Sequence, residues 1–123
     1  MIVVIIVGIL LGISLPFYQD YVLRSHRADA HSSLIDIAAR QERFIAQNNT
    51  YTTEISANTG LGLGSTTSRE NYYNLSVAAC GGGIASCYVI TATATGGQVN
   101  DTDCTTITYD SLGVRGGSTD DCW

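Results

Sequence analysis

The sequence predicts an α+β fold in which one long N-terminal helix packs on a small antiparallel β-sheet of three to four strands. Residues 1–18 carry no charged side chain, and the following residues, up to about 47, repeat apolar side chains at helical spacing. The rest of the chain alternates short β-type segments with glycine-rich turns. We therefore expect an apolar stem over residues 1–16 and a globular head, which includes the amphipathic half of the helix, over residues 17–123.

The stem is apolar from Met1 to Leu15 except for Ser14. As a helix this run spans about 22 Å, which is shorter than the hydrocarbon core of a bilayer, about 30 Å. A cleaved signal peptide is a poor alternative, because no basic residue precedes the run and no small-x-small cleavage site follows it. The run passes through Pro16 directly into a helical pattern, so we interpret it as the first part of one long helix.

The helix continues from about Phe17 to Gln47. Its apolar residues recur at spacings of seven, four, three and seven and so share one stripe: Leu23, Ala30, Leu34, Ile37 and Phe44. Asn48 and Asn49 supply the stop signal. A helix of up to 45 residues is far longer than a small domain needs, so half of it must be buried against something other than its own head.

Three segments of the head alternate with a period of two and are predicted strands: residues 72–77, 88–93 and 105–109. Glycine-rich turns separate them. A loop rich in Thr, Ser and Gly, over residues 48–70, joins the helix to the first strand. These strands, covered on one face by the helix stripe, complete the predicted α+β domain.

Length and charge limit the classes of function. A chain of 123 residues suits one domain, and 45% hydrophobic against 14% charged residues argues against disorder. The net charge is −5, from 11 acidic residues against 6 arginines. Because phosphate contacts need Lys and Arg, we expect no direct binding of nucleic acid.

The four cysteines allow three disulfide pairings. A zinc site is a poor alternative, because the sequence has no C-x₂-C pair and both histidines lie far away in the helix. We prefer local pairing: Cys80–Cys87 would pin a glycine-rich hairpin, and Cys104–Cys122 would tie the tail to the last predicted strand. Disulfides indicate an exported, oxidising location.

The sequence contains no catalytic pattern. His26 and His31 are about 140° apart around a helix and cannot share a ligand, and no G-x-S-x-G, H-E-x-x-H or P-loop is present. We expect no enzymatic activity, no cofactor and no metal.

Four aspartates flank the predicted tail disulfide and form a weak candidate for Ca²⁺: Asp101, Asp103, Asp120 and Asp121. They lack the ordered ligand spacing of a calcium loop, so carboxylates that splay into water are the preferred interpretation.

The segment MIVVIIVGILLGISLPFYQDYV resembles the second part of the N-terminal helix of type IV pilins. The resemblance extends through residues 24–30 and 38–44, reappears in the three predicted strands, and ends on the Asp-Cys-Trp of residues 121–123, closest to the PilE-like branch. It implies a structural subunit of an extracellular pilus filament. It also implies that the stem lies in the inner membrane before assembly and in the filament core afterwards, and that the partners are the chain itself, other pilins and the inner-membrane assembly machinery.

The resemblance assigns filament-core packing to the apolar stem residues: Met1, Ile2, Val3, Val4, Ile5, Ile6, Val7, Ile9, Leu10, Leu11, Ile13 and Leu15. We expect the stem to lose helix within residues 8–16 on assembly, as related pilins do. Pro16 lacks the N–H that would bond the carbonyl of Gly12, and Gly8 and Gly12 are each about 1 kcal/mol worse than alanine in a helix. Ser14 can bond the backbone locally instead.

Family members begin with a basic leader, a glycine cleavage point and about six mature residues that include a glutamate. None of these precedes Met1, so we expect Met1 to be an internal residue of the precursor. Three alternatives remain: a simple membrane-anchored domain, a pseudopilin of type II secretion, and a minor rather than a major pilin. Motility, adhesion, surface attachment and DNA uptake are all compatible with the sequence.

Overall fold

The computed structural model of the chain describes residues 1–10 and 18–123. One long helix, α1 (Ile2–Asn48), precedes four strands: β1 (Tyr73–Ala79), β2 (Tyr88–Ala94), β3 (Thr106–Asp110) and β4 (Arg115–Gly117). Among the described residues, no helix combines the length and the apolar character that crossing a bilayer requires. The predicted α+β fold, with a long helix and three to four strands, is confirmed.

α1 ends where the sequence predicts. Asn49 adopts the left-handed conformation, with φ 59°, and its N–H donates to the Ile45 carbonyl at 2.9 Å. Asparagine is among the few residues that enter this conformation at low cost. Of the predicted apolar stripe, Ala30, Leu34 and Ile37 are fully buried. The stripe is therefore the face that α1 packs on the sheet.

The sheet is an antiparallel meander in the order β1-β2-β3-β4. Alternate side chains point into the core because the pleat has a period of two. Tyr73 and Val77 of β1 and Ile90 of β2 are buried in this way, and Val77 lies opposite Ile90 in the register. Ile107 of β3 continues the same buried face beneath α1.

The loop between α1 and β1 packs against the domain through two buried side chains, Ile55 and Leu61. The backbone turns back on itself there, since the Leu61 N–H donates to the Glu54 carbonyl at 2.9 Å. Gly60 is required at this close approach, because a Cβ at that position would collide with Glu54. The loop is therefore packed against the domain rather than projecting from it.

Candidate functional site

The first turns of α1 expose an apolar surface that the head does not cover. The described large side chains from Ile2 to Leu10 are each at least 48% exposed. A continuous apolar surface of this kind marks a site of contact with other molecules. These residues are the described part of the predicted filament-core set; Leu11, Ile13 and Leu15 lie outside the described residues.

Gly8 lies in this exposed segment, and a Cβ at its position would meet nothing within 4 Å. Among residues 1–10 and 18–123, no contact therefore requires glycine there. The other residues of the predicted helix-losing stretch, Gly12, Ser14 and Pro16, lie outside the described residues.

A buried polar network joins α1 to the segment that follows β2. The Arg27 guanidinium donates to both carboxylate oxygens of Asp101, at 2.7 and 2.6 Å, and the two side chains are 13% and 7% exposed. The hydrogen bond with Asp101 raises the pKa of Arg27. The pair thus connects α1 to the segment that follows β2.

Gln98 completes the network. It is 2% exposed, and its amide nitrogen donates to the Leu23 carbonyl at 2.9 Å and to the Tyr73 hydroxyl at 3.0 Å. Its amide oxygen lies 2.8 Å from His26 Nδ1, and the His26 ring stacks on Tyr72 with centroids 3.6 Å apart. Burial of its phenol raises the pKa of Tyr73. The sequence offered no signal for these contacts, because the partners are 25 to 75 residues apart.

The network includes one residue of the weak calcium candidate, Asp101. Both carboxylate oxygens of Asp101 are occupied by Arg27, so this side chain faces a cation rather than an open site. Within residues 1–10 and 18–123, no three His, Cys, Asp or Glu side chains come together in a group that could hold a metal ion. Asp103, Asp120 and Asp121 thus do not form a site with Asp101.

The last residue of the chain, Trp123, packs in a cluster of aromatic rings with His31 and Tyr109. The Trp123 ring stacks on His31, and its indole N–H donates to the carbonyls of Thr108 and Gly116 at 3.1 and 3.0 Å. The Arg115 guanidinium lies 5.0 Å from the centre of the same ring. His31 is thus a packing residue, and its partners differ from those of His26.

Both disulfides have the local pairing. Cys104 joins Cys122 with the Cα atoms 5.5 Å apart, and both residues are buried. Cys80 joins Cys87 across the exposed turn between β1 and β2, with the Cα atoms 5.3 Å apart. The described residues contain no free cysteine.

Three of the six arginines line two adjoining grooves between α1 and the loop that follows it. Arg40 borders both grooves, Arg69 borders one of about 310 Å³, and Arg43 borders the other, of about 230 Å³. The larger groove also presents hydroxyl and amide groups: Ser32, Ser33, Ser65, Thr67, Ser68 and Asn71.

Arg40 is held in place, donating to the Leu61 carbonyl at 3.0 Å and pairing with Asp36 at 3.3 Å. Arg43 and Arg69 are exposed. Guanidinium, hydroxyl and amide donors are the groups that contact phosphate oxygens, so the grooves are chemically suited to an anion.

Comparison with known proteins places these features in a family. The family model described as "Type IV minor pilin ComP, DNA uptake sequence receptor" matches residues 16–108, well over half of the chain. The structure is similar to a type IV pilin from Shewanella oneidensis, with a TM-score of 0.58 and 25% identity over 82% of this chain and 97% of that one. No curated protein matches the chain. The chain belongs to the type IV minor pilin ComP family and is a subunit of a type IV pilus.

Proposed function

We propose that the chain is a minor structural subunit of the pilus, held in the inner membrane by its stem until the assembly machinery moves it into the filament. The single observation that carries this proposal is the exposed apolar surface of Met1–Leu10. An apolar helix can exchange lipid for neighbouring helices with little hydrophobic cost. The role is structural, with no catalytic step.

In this proposal residues 1–16 form the stem and residues 17–123 form the head. The apolar stem side chains pack in the filament core, and the segment from Gly8 to Pro16 loses helix as the subunit adjusts to its neighbours. In lipid the same segment stays helical, because unpaired backbone groups are costly there.

Quantitative mass spectrometry of sheared filaments tests this function. We expect peptides of this chain in the filaments at a small fraction of the main pilin, and in the inner-membrane fraction of cells that cannot assemble filaments. The chain as the dominant filament protein would contradict the minor role. Its absence from both fractions would contradict the proposal altogether.

DNA capture is a second candidate function, favoured by the two arginine-lined grooves. The matching family is described as a receptor for DNA uptake sequences. The acidic net charge argues against general DNA binding, but contact is decided by local charge. Arg40 borders both grooves, Arg69 borders one and Arg43 the other, against one carboxylate, that of Asp36. Hydroxyl and amide groups beside them add donors for phosphate oxygens.

A double substitution, Arg43→Gln with Arg69→Gln, tests the grooves, while Arg40 is left in place because it holds the loop. We expect DNA affinity to fall at least tenfold, and the slope of log affinity against log salt to fall by about 1.8, about 0.9 for each lost phosphate contact. Arg24→Gln is the control, since Arg24 is exposed and lies outside both grooves. Wild-type protein that binds no DNA, or a control that loses as much affinity, would contradict this candidate.

A further inference from the structure

The loop side of the larger arginine-lined groove ends in a tight turn, residues 68–71. The Asn71 N–H donates to the Ser68 carbonyl at 2.9 Å and closes this turn. Asn71 has a φ of 65°, in the left-handed region that few residues other than glycine and asparagine enter. Arg69 and Asn71 are both exposed, and both line the groove. The turn therefore brings one cationic and one amide side chain to the same groove.

The turn is held in one conformation by contacts on two sides. On the sheet side, the Ser68 N–H donates to the Tyr73 carbonyl at 2.8 Å, and the Tyr73 N–H donates to Ser68 Oγ at 3.1 Å. On the helix side, the Glu70 N–H donates to Asp29 Oδ1 at 3.2 Å. Asp29 Oδ2 is buried and has no hydrogen-bond partner among the described residues, which is a costly arrangement for a carboxylate. The turn is thus organised before any ligand arrives, which lowers the entropy lost on binding.

The amide group of Asn71 is oriented by two hydroxyl groups. Thr67 Oγ1 donates to Asn71 Oδ1 at 3.0 Å. Ser65 Oγ lies 2.8 Å from Thr67 Oγ1 and accepts from the Thr67 N–H at 3.1 Å, so Thr67 is itself held. Among the described residues, the amide nitrogen of Asn71 has no such partner. The side chain therefore offers two N–H hydrogens to a ligand, while its oxygen already accepts a hydrogen bond.

A pair of free donors on one nitrogen matches the major-groove edge of guanine. Guanine presents two neighbouring acceptors there, N7 and O6, and a single nitrogen with several hydrogens can bond both. Adenine places an N–H₂ donor beside its N7, and cytosine presents only a donor, so neither offers this pair of acceptors. The major groove is about 12 Å wide and admits an α-helix, so a single turn of the backbone can enter it. Glu70 borders neither arginine-lined groove.

We propose that Asn71 is a base-reading residue, which donates to N7 and O6 of guanine while Arg43 and Arg69 contact phosphates. Asp29 and Thr67 are positioning residues, because they hold the turn and the amide group. The inference rests on DNA capture, the second candidate function, and deepens it by naming the chemical group that is read. It separates two roles at one groove, since phosphate contacts fix position and base contacts specify sequence.

Two duplexes that differ in one acceptor atom test this role. The first alternates guanine and cytosine, and the second carries 7-deazaguanine in place of guanine, which removes N7 but keeps the charge and the base pairing. We expect the wild-type chain to bind the first duplex about tenfold more tightly. Asn71→Gly should bind both duplexes with the affinity that the wild type has for the second. Its salt dependence should not change, because no charge is lost. Glycine adopts the same positive φ without steric cost, so thermal unfolding should stay close to that of the wild type.

Asn100→Gly is the matched control, because Asn100 is exposed and borders neither arginine-lined groove. It should keep the wild-type preference for unmodified guanine. Equal binding of the two duplexes by the wild type would overturn the proposal. An Asn71→Gly variant that loses the same factor on both duplexes would also overturn it, since that result describes a phosphate contact. Wild-type protein that binds neither duplex would contradict DNA capture itself, which is a separate result.

Thr67→Val tests the positioning of the amide group. The change removes the hydroxyl that donates to Asn71 Oδ1 and nearly conserves the volume of the side chain. We expect the preference for unmodified guanine to fall about threefold, with the salt dependence unchanged, because the free amide group can turn away from the base. A full preference retained in Thr67→Val would overturn the role given to Thr67.

Discussion

His31 and Trp123 stack with ring centroids 4.4 Å apart and ring planes 12° from parallel, which joins the middle of α1 to the last residue of the chain. The neighbouring Cys122 carbonyl lies 2.5 Å from His31 Nε2, so the tail is bound to the helix by a polar contact as well. Because the tail also carries the Cys104–Cys122 disulfide, this stack couples helix, sheet and C-terminus.

Loss of the Trp123 ring should destabilise the head. Trp123→Ala removes the stack and leaves the carbonyls of Thr108 and Gly116 without their shared donor. Because the ring is only half-buried, we expect a fall of about 2–3 kcal/mol in the free energy of unfolding, below the 3–5 kcal/mol typical of a core Trp. Urea denaturation of the full chain measures it. Leu112→Ala, at an 84% exposed site, should change it by less than about 0.5 kcal/mol.

Replacing one partner of the Arg27–Asp101 pair should lower the free energy of unfolding more than replacing both partners. Arg27→Met leaves the Asp101 carboxylate, 7% exposed, without its cation, and Asp101→Asn leaves the Arg27 guanidinium, 13% exposed, without its anion. We expect each single variant to lose about 2–4 kcal/mol of stability, and the double variant to lose less than either single variant. A double-mutant cycle from urea denaturation measures the coupling. Strict additivity of the two losses would contradict the structural role given to the pair.

The two disulfides should contribute unequally. Cys104–Cys122 closes a loop of sequence separation 18, and Cys80–Cys87 closes one of 7. Replacing the first pair by serine should cost about 3 kcal/mol, and replacing the exposed second pair should cost less, because closing a longer loop restricts the unfolded chain more. Denaturation of the two paired variants compares them. A larger loss for the Cys80–Cys87 variant would contradict this order.

The chain should lose stability at alkaline pH through its buried tyrosines. Burial raises the pKa of Tyr88 well above the usual value of 10.0. Below pH 10 the phenol is protonated in both states, so it adds no pH dependence there. Above pH 10 the unfolded chain releases this proton while the folded chain keeps it, so stability falls as the pH rises.

Tyr88→Phe should therefore flatten the alkaline decline in stability. Thermal unfolding between pH 8 and 11.5 measures it, with Tyr21→Phe as the control because Tyr21 is 70% exposed. An unchanged alkaline profile in the Tyr88 variant would contradict the assignment of this decline to Tyr88.

Local pattern was enough to predict much of the fold. The 3.6-residue repeat identified Ala30, Leu34 and Ile37 as the buried face of α1, and the asparagine pair identified its end. Period-two alternation located β1, β2 and β3. The fourth strand carries the sequence Arg-Gly-Gly, which has no strand propensity of its own. It exists because β3 pairs with it and Trp123 bonds the Gly116 carbonyl, contacts that no short sequence window contains.

Long-range polar contacts were beyond prediction for the same reason. Asp101 carries no mark in the sequence that distinguishes a partner of Arg27 from a calcium ligand, and the two residues are 74 positions apart. The exposed apolar surface of the stem was predictable, since an uncharged run of that length needs a partner outside its own head.

Immunogold electron microscopy of sheared surface filaments, with an antibody against the loop between α1 and β1, tests most directly the claim that this chain is a pilus subunit. We expect sparse gold along filaments from cells that produce the chain, and none on filaments from cells that lack it. Gold confined to cell membranes, with the filaments of producing cells unlabelled and the chain absent from them by mass spectrometry, would contradict it.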